Sequence, residues 1–196
     1  TNPYIIIEDY AFANCDQLTK IIFAKESGAV VKNHAFNYAS SLESIENLSS
    51  VRSVGDYAFA NSTIKEVVTG ENVTYGEGVF FKSSLEKVTL GANSTFGLGC
   101  FQSCLSLKEV VMPDDGNVHF GITCFAYCAS LEIIDLTKVD EKIESQTFYG
   151  CKSLKVALLD NVKVIGDYAF ARTLISKVDI PATLTTLGSY VFEGNW

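Results

Sequence analysis

Apolar residues recur along this chain with two superimposed periods. The long one is marked by a Phe behind a small residue: Phe12, Phe36, Phe59, Phe80, Phe101, Phe125, Phe148, Phe170 and Phe192, at spacings of 24, 23, 21, 21, 24, 23, 22 and 22 residues. Five residues before each Phe stands another apolar position: Ile7, Val31, Val54, Tyr75, Phe96, Phe120, Ile143, Ile165 and Leu187. The next position is usually glycine, at Gly55, Gly76, Gly97, Gly121, Gly166 and Gly188. Glycine there predicts a tight bend with positive φ. After the Phe come two further aliphatic columns, the first running from Leu18 to Ile175 and the second from Ile21 to Val178. The unit reads L-x-x-I-x-L-(x)n-I-G-x-x-A-F-x-x-C-x-x-L. The short period is 2. Segments such as Val88-Thr89-Leu90 and Val110-Val111-Met112 alternate in burial preference and predict short strands with one buried face. The G-x-x-A-F-x-x-C segment is too short for an independent helix. It predicts a single helical turn that drops the Phe into the core.

One such unit cannot bury its own apolar face. Stacked units can, at the strand spacing of about 4.8 Å, and stability then accrues from nearest-neighbour interfaces. About nine units of 21–24 residues tile residues 1–196 with no break in composition, which predicts a single solenoid domain. The chain opens TNPYIIIEDYAF, without a charged leader, and closes VFEGNW; both ends look cut from a longer pattern.

The unit resembles the BspA-type leucine-rich repeat family. The segments that carry the likeness are VGDYAFANSTI at Val54–Ile64, IGDYAFARTLI at Ile165–Ile175 and IESQTFYGCKSL at Ile143–Leu154. The resemblance implies an α/β repeat solenoid, right-handed, with a concave parallel β-sheet and short helical turns carrying the A-F-x-x-C segment. It also implies a cell-surface or secreted protein, acting in adhesion to host or neighbouring cells, and brings no catalytic residues. The units around Phe80 and Phe101 depart from the pattern. They are shortened, and Gly78 and Gly99 replace a bulkier residue before the small-residue–Phe pair.

Composition narrows the function classes. The chain is 47% hydrophobic and 19% charged, enough to build a core. A net charge of −8 argues against nucleic acid and against polybasic contact with anionic lipid. No apolar run is long enough to span a bilayer.

Six cysteines invite a metal or disulfide reading, with C-x-x-x-C pairs at Cys100/Cys104 and Cys124/Cys128. The repeat supplies a simpler account. Cys15, Cys104, Cys128 and Cys151 stand three residues after the repeat Phe, where Ala39, Ser62, Ser83 and Thr173 stand in other units. Cys100 and Cys124 replace the alanine before the Phe. Both slots demand a small buried side chain, so free buried thiols are expected. His34 and His119 fall in separate units, with His34 in the surface column of Tyr10, Tyr57, Tyr168 and Tyr190. No nucleophile–base pair can be assembled, and neither a cofactor nor a metal is expected. Asp114-Asp115-Gly116 lacks the rest of a calcium loop and is expected to be a solvated turn. Sequons begin at Asn47, Asn61, Asn72 and Asn93; Asn61 lies inside the Phe turn, where a glycan would clash with packing.

The remaining candidate is the outward face of the strands. Position by position it carries Lys20, Ser44, Glu66, Lys87, Glu109, Ile133, Val156 and Lys177, then Ile22, Glu46, Val68, Thr89, Val111, Asp135, Leu158 and Asp179. Val111, Ile133, Val156 and Leu158 fall on successive units and are expected to adjoin. They would form an apolar patch rimmed by Glu109, Asp135, Lys177 and Asp179. An apolar centre with a charged rim is the composition of a protein-binding surface, with a host matrix or cell-surface protein as the expected partner. Two plainer readings stay open: β-branched residues favour strands anyway, and a neighbouring domain can cover the patch. A structural spacer that presents another domain is the alternative role.

Overall fold

The computed structural model describes residues 4–195, as a stack of coils with two parallel β faces. Sixteen short strands alternate between the faces along most of the chain. The first face carries three-residue strands: β2 (Lys20–Ile22), β4 (Ser44–Glu46), β6 (Glu66–Val68), β8 (Lys87–Thr89), β10 (Glu109–Val111), β12 (Ile133–Asp135) and β14 (Val156–Leu158). The second carries two-residue strands: β1 (Ile6–Ile7), β3 (Val30–Val31), β5 (Ser53–Val54), β7 (Thr74–Tyr75), β9 (Thr95–Phe96), β11 (His119–Phe120), β13 (Lys142–Ile143), β15 (Val164–Ile165) and β16 (Thr186–Leu187). Every pairing is parallel and sets equivalent repeat positions side by side, such as Val88 between Val67 and Val110.

The first face is not one continuous ladder. Its hydrogen-bonded groups are β2–β4, β6–β8–β10 and β12–β14. The second runs unbroken from β1 to β11 and resumes as β13–β15–β16, with a single bridge from Val118 to Val139.

Between the faces runs one core. The nine repeat Phe rings stack in a single file at centroid spacings of 5.0–5.8 Å, with their planes nearly parallel from one ring to the next. Each such contact contributes about 0.5–1.5 kcal/mol beyond the area it buries. Phe96 and Phe120, both from the second face, wedge against Phe101 and Phe125.

The expected helical turns are absent. Among the described residues there is no α-helix and only one 3-10 turn, Leu48–Ser50. The Phe segment is instead a run of turns whose N–H groups point alternately inward and along the stack. In one coil Ala35, Asn37 and Ala39 donate to carbonyls three residues back, while His34, Phe36 and Tyr38 donate to Asp56, Ala58 and Ala60 of the next coil. The cause lies two residues either side of the Phe. Both flanking positions are left-handed in every unit: Tyr57 (φ 54°) and Asn61 (φ 58°) around Phe59, Gly99 (φ 57°) and Ser103 (φ 61°) around Phe101. Two left-handed residues four apart cannot sit in a right-handed helix.

The frame glycines also differ from expectation. Gly55, Gly76, Gly97, Gly121, Gly166 and Gly188 have no positive φ. What they provide is room: a Cβ on Gly97 would lie 2.7 Å from the Gly76 carbonyl oxygen. Glycine lets the backbones of successive coils touch at this corner.

Cysteine behaves as the repeat predicts. All six thiols are free, and all but Cys15 are buried. The Cys104, Cys128 and Cys151 thiols donate to the carbonyls of Phe80, Phe101 and Phe125, at 3.1, 3.2 and 3.1 Å. In the same slot the Ser62 hydroxyl is buried and has no partner.

Candidate protein-binding face

The first-face strands alternate in burial because the middle residue points into the core and its neighbours point out. Ile134 on β12 is buried; Ile133 and Asp135 are exposed. Parallel register then fixes lateral neighbours: Ile133 lies against Val156, and Asp135 against Leu158. The three apolar side chains are 59%, 41% and 45% exposed. A shallow depression of about 340 Å³, lined by Lys108, Ser130, Glu132, Ile133 and Ser153, opens beside Ile133.

Of the eight residues expected at the site, the structure gathers four: Ile133, Asp135, Val156 and Leu158. Val111 and Glu109 belong to the preceding ladder, which ends at β10. Val111 is half-buried and pairs with Thr89, while Glu109 pairs with Lys87 at 2.8 Å. That carboxylate also holds the Lys87 ammonium above its ordinary range. Lys177 and Asp179 lie outside any strand and pair with each other at 3.1 Å. The apolar centre is therefore narrower than the sequence suggests.

One column was missed. From β4 to β14 the exposed residue before each first-face strand reads Glu43, Lys65, Glu86, Lys108, Glu132 and Lys155, alternating in sign from coil to coil. Lys65 meets Glu86 at 3.1 Å and Lys155 meets Glu132 at 3.4 Å. In the next column Glu66, Lys87 and Glu109 alternate in the opposite phase. Together they make a charge checkerboard. The signal is present in the sequence, one residue outside the period-2 segment that defines the strand.

Among the described residues no cluster of three His, Cys, Asp or Glu is placed to hold a metal, and no helix is long and apolar enough to cross a membrane. His34 is half-buried and stacked between Tyr10 and Tyr57, at 4.9 and 5.3 Å. His119 pairs with Asp140 at 2.8 Å. Asn47 and Asn61 commit their carboxamides to the Phe23 carbonyl and to Asn37, while Asn72 and Asn93 are exposed.

A stack of parallel coils with an aromatic file inside and short strands outside defines a repeat solenoid. The model of the BspA type leucine rich repeat region matches six copies, over residues 5–118 and 75–196, and the chain belongs to that family. Solved structures agree on the fold. A leucine-rich repeat protein from Bacteroides ovatus superposes with a TM-score of 0.64 at 22% identity, over 97% of this chain and 50% of that one. The leucine rich repeat protein of T. pallidum gives 0.60 at 22% identity, over 87% and 70%. A leucine rich cell surface protein from Faecalibacterium prausnitzii gives 0.58 at 22%, over 90% and 45%. This chain spans half the length of the B. ovatus structure. No curated protein matches it.

Proposed function

We propose that the chain is a non-enzymatic protein-interaction module of a cell-surface or secreted protein, and that it binds through Ile133, Val156 and Leu158. The first face would be the concave, ligand-facing side of a right-handed solenoid. One observation carries the reading: Ile133 and Val156 stand exposed and side by side at the strand position that holds Lys20, Ser44, Glu66, Lys87 and Glu109 elsewhere on the same face, with Leu158 exposed next to them. Exposed contiguous apolar surface lowers solubility and contributes nothing to the core, so its retention favours a partner. Adhesion to a host or neighbouring-cell protein, such as an extracellular-matrix protein, is the role that fits this surface in a family with cell-surface members. The test is surface plasmon resonance against immobilised matrix proteins, comparing the native chain with a Val156→Lys/Leu158→Lys variant. Loss of binding by about a hundredfold or more supports the reading. Unchanged binding refutes the site, and no binding to any matrix protein favours the spacer role.

A further inference from the structure

The lysines of the first face are matched to carboxylates, with one exception. Lys20 meets Glu46, Lys65 meets Glu86, Lys87 meets Glu109 and Lys155 meets Glu132. Lys108 stands in the same column as Lys65 and Lys155, between Glu86 and Glu132, and is exposed. Among the described residues its ammonium forms an ion pair with neither. Both carboxylates are engaged on their far sides, Glu86 by Lys65 at 3.1 Å and Glu132 by Lys155 at 3.4 Å. The hydrogen-bonded ladder also ends at β10, so no strand pairing sets Lys108 against Glu132.

This unmatched cation sits beside the exposed aliphatic pair. Lys108 lines the depression of about 340 Å³ that opens next to Ile133, and Ile133 lies against Val156. Three other polar side chains line the same depression. Glu132 has its charge offset by Lys155. The Ser130 hydroxyl is committed to the Leu105 carbonyl at 2.7 Å. The Ser153 hydroxyl makes no hydrogen bond among the described residues. The depression therefore joins an aliphatic wall to one uncompensated positive charge and one uncommitted hydroxyl. An ammonium offers three donors and no acceptor, so the group that completes it is an anion. The chain as a whole carries a net charge of −8. An anion is therefore held here by local contact and not by the field of the whole molecule.

We propose that Lys108 is the polar anchor of this face, and that the partner is a peptide segment carrying an Asp or Glu close to an aliphatic residue. The aliphatic side chain covers Ile133 and Val156. The carboxylate accepts from the Lys108 ammonium, with the Ser153 hydroxyl as a second donor in the same depression. Charge complementarity selects this occupant: a basic segment meets an unmatched ammonium, and a purely apolar one leaves it without a partner. The inference rests on the binding role proposed for Ile133, Val156 and Leu158 and adds the chemistry of what binds there. An exposed ion pair of this kind supplies selectivity and orientation more than affinity, which the aliphatic contact provides.

The test is panning of a phage-displayed random peptide library on the folded protein, with the selected peptides then titrated against variants. The consensus should place Asp or Glu near Leu, Ile or Val. Affinity should fall by about threefold or more for Lys108→Met, which keeps the apolar stem and removes the charge. It should fall by about tenfold or more for Lys108→Glu, and panning on that variant should exchange the acid for Lys or Arg. Lys108→Met should melt as the native chain does, which separates lost binding from lost folding. Selected peptides that lack an acid, or that bind both Lys108 variants as they bind the native chain, overturn the anchor. If those same peptides lose affinity for Ile133→Lys/Val156→Glu, the anchor fails and the binding face stands. Peptides indifferent to every variant, or a selection that yields none, overturn the anchor and count against the face as well.

Discussion

Two stretches of the first face share a backbone and differ in what they show the solvent. Across β6, β8 and β10 the leading outward position reads Glu66, Lys87, Glu109; across β12 and β14 it reads Ile133, Val156. Beneath both, the Phe file continues without a change of geometry. Beside both, the neighbouring column keeps alternating in sign through Glu132 and Lys155. A single column changes character. Glu and Lys form the same strand rungs as Ile and Val, so strand propensity does not explain the aliphatic pair. The difference teaches that this fold leaves the outer column free and that the β12–β14 stretch uses the freedom differently.

If the two stretches share one interior, equal damage inside should cost them equally. Phe80→Ala, under the charged stretch, and Phe148→Ala, under the apolar one, should each lose about 3–5 kcal/mol in urea unfolding. A clear disparity would mean that the interiors differ as well.

Alkaline pH should weaken the interior that the two stretches share, since buried thiols lie in the coil between β8 and β10 as well as in those leading to β12 and β14. Cys100, Cys104, Cys124, Cys128 and Cys151 are all buried, and all lie beneath coils from Phe101 to Phe148. Burial pushes the Cys104 and Cys151 thiols up from 9.0 to about 12. The fold therefore favours the neutral thiol while the unfolded chain ionises. The stabilisation is fully present below pH 9 and drains away between about 9 and 12, by up to about 1.4 kcal/mol per pH unit per thiol. Tyr75, in the charged half, is also raised by burial but from 10.0, and adds its share only at higher pH. Melting temperature should fall from pH 9 to 11, and Cys104→Ala/Cys151→Ala should flatten the fall. A flat native profile would contradict the assignment.

Smaller effects follow. Ser62→Ala removes a buried hydroxyl without a partner and should stabilise by about 1 kcal/mol in the same urea assay. Lys65→Ala breaks an exposed pair with Glu86 and should cost about 0.2–1 kcal/mol, less in 1 M salt.

How much of this was legible in the sequence depends on what each feature rests upon. The nine-unit frame, both apolar strand columns and the cysteine slots were legible, because burial in a stack writes the same residue type at the same position. The helical turns were misread because the left-handed positions hold Tyr10, His34 and Tyr57, types that do not announce a positive φ. The frame glycines were placed correctly and explained wrongly. Close approach between coils is a property of stacking, invisible in one unit. The candidate face was half legible. Ile133, Val156 and Leu158 follow from register, but the ladder break after β10 separates Val111 and Glu109 from them, and no strand holds Lys177 and Asp179.

The central claim is that the apolar column serves binding and not folding. The substitutions Ile133→Lys and Val156→Glu would continue the alternation from Glu109 to Lys177 and extend the checkerboard across the patch. In that double variant, urea unfolding and binding to a matrix protein recognised by the native chain should be measured together. The account predicts stability within about 1 kcal/mol of the native chain and binding weakened by about a hundredfold or more. A folded variant that still binds as the native chain does would contradict it, and so would a variant that loses several kcal/mol of stability.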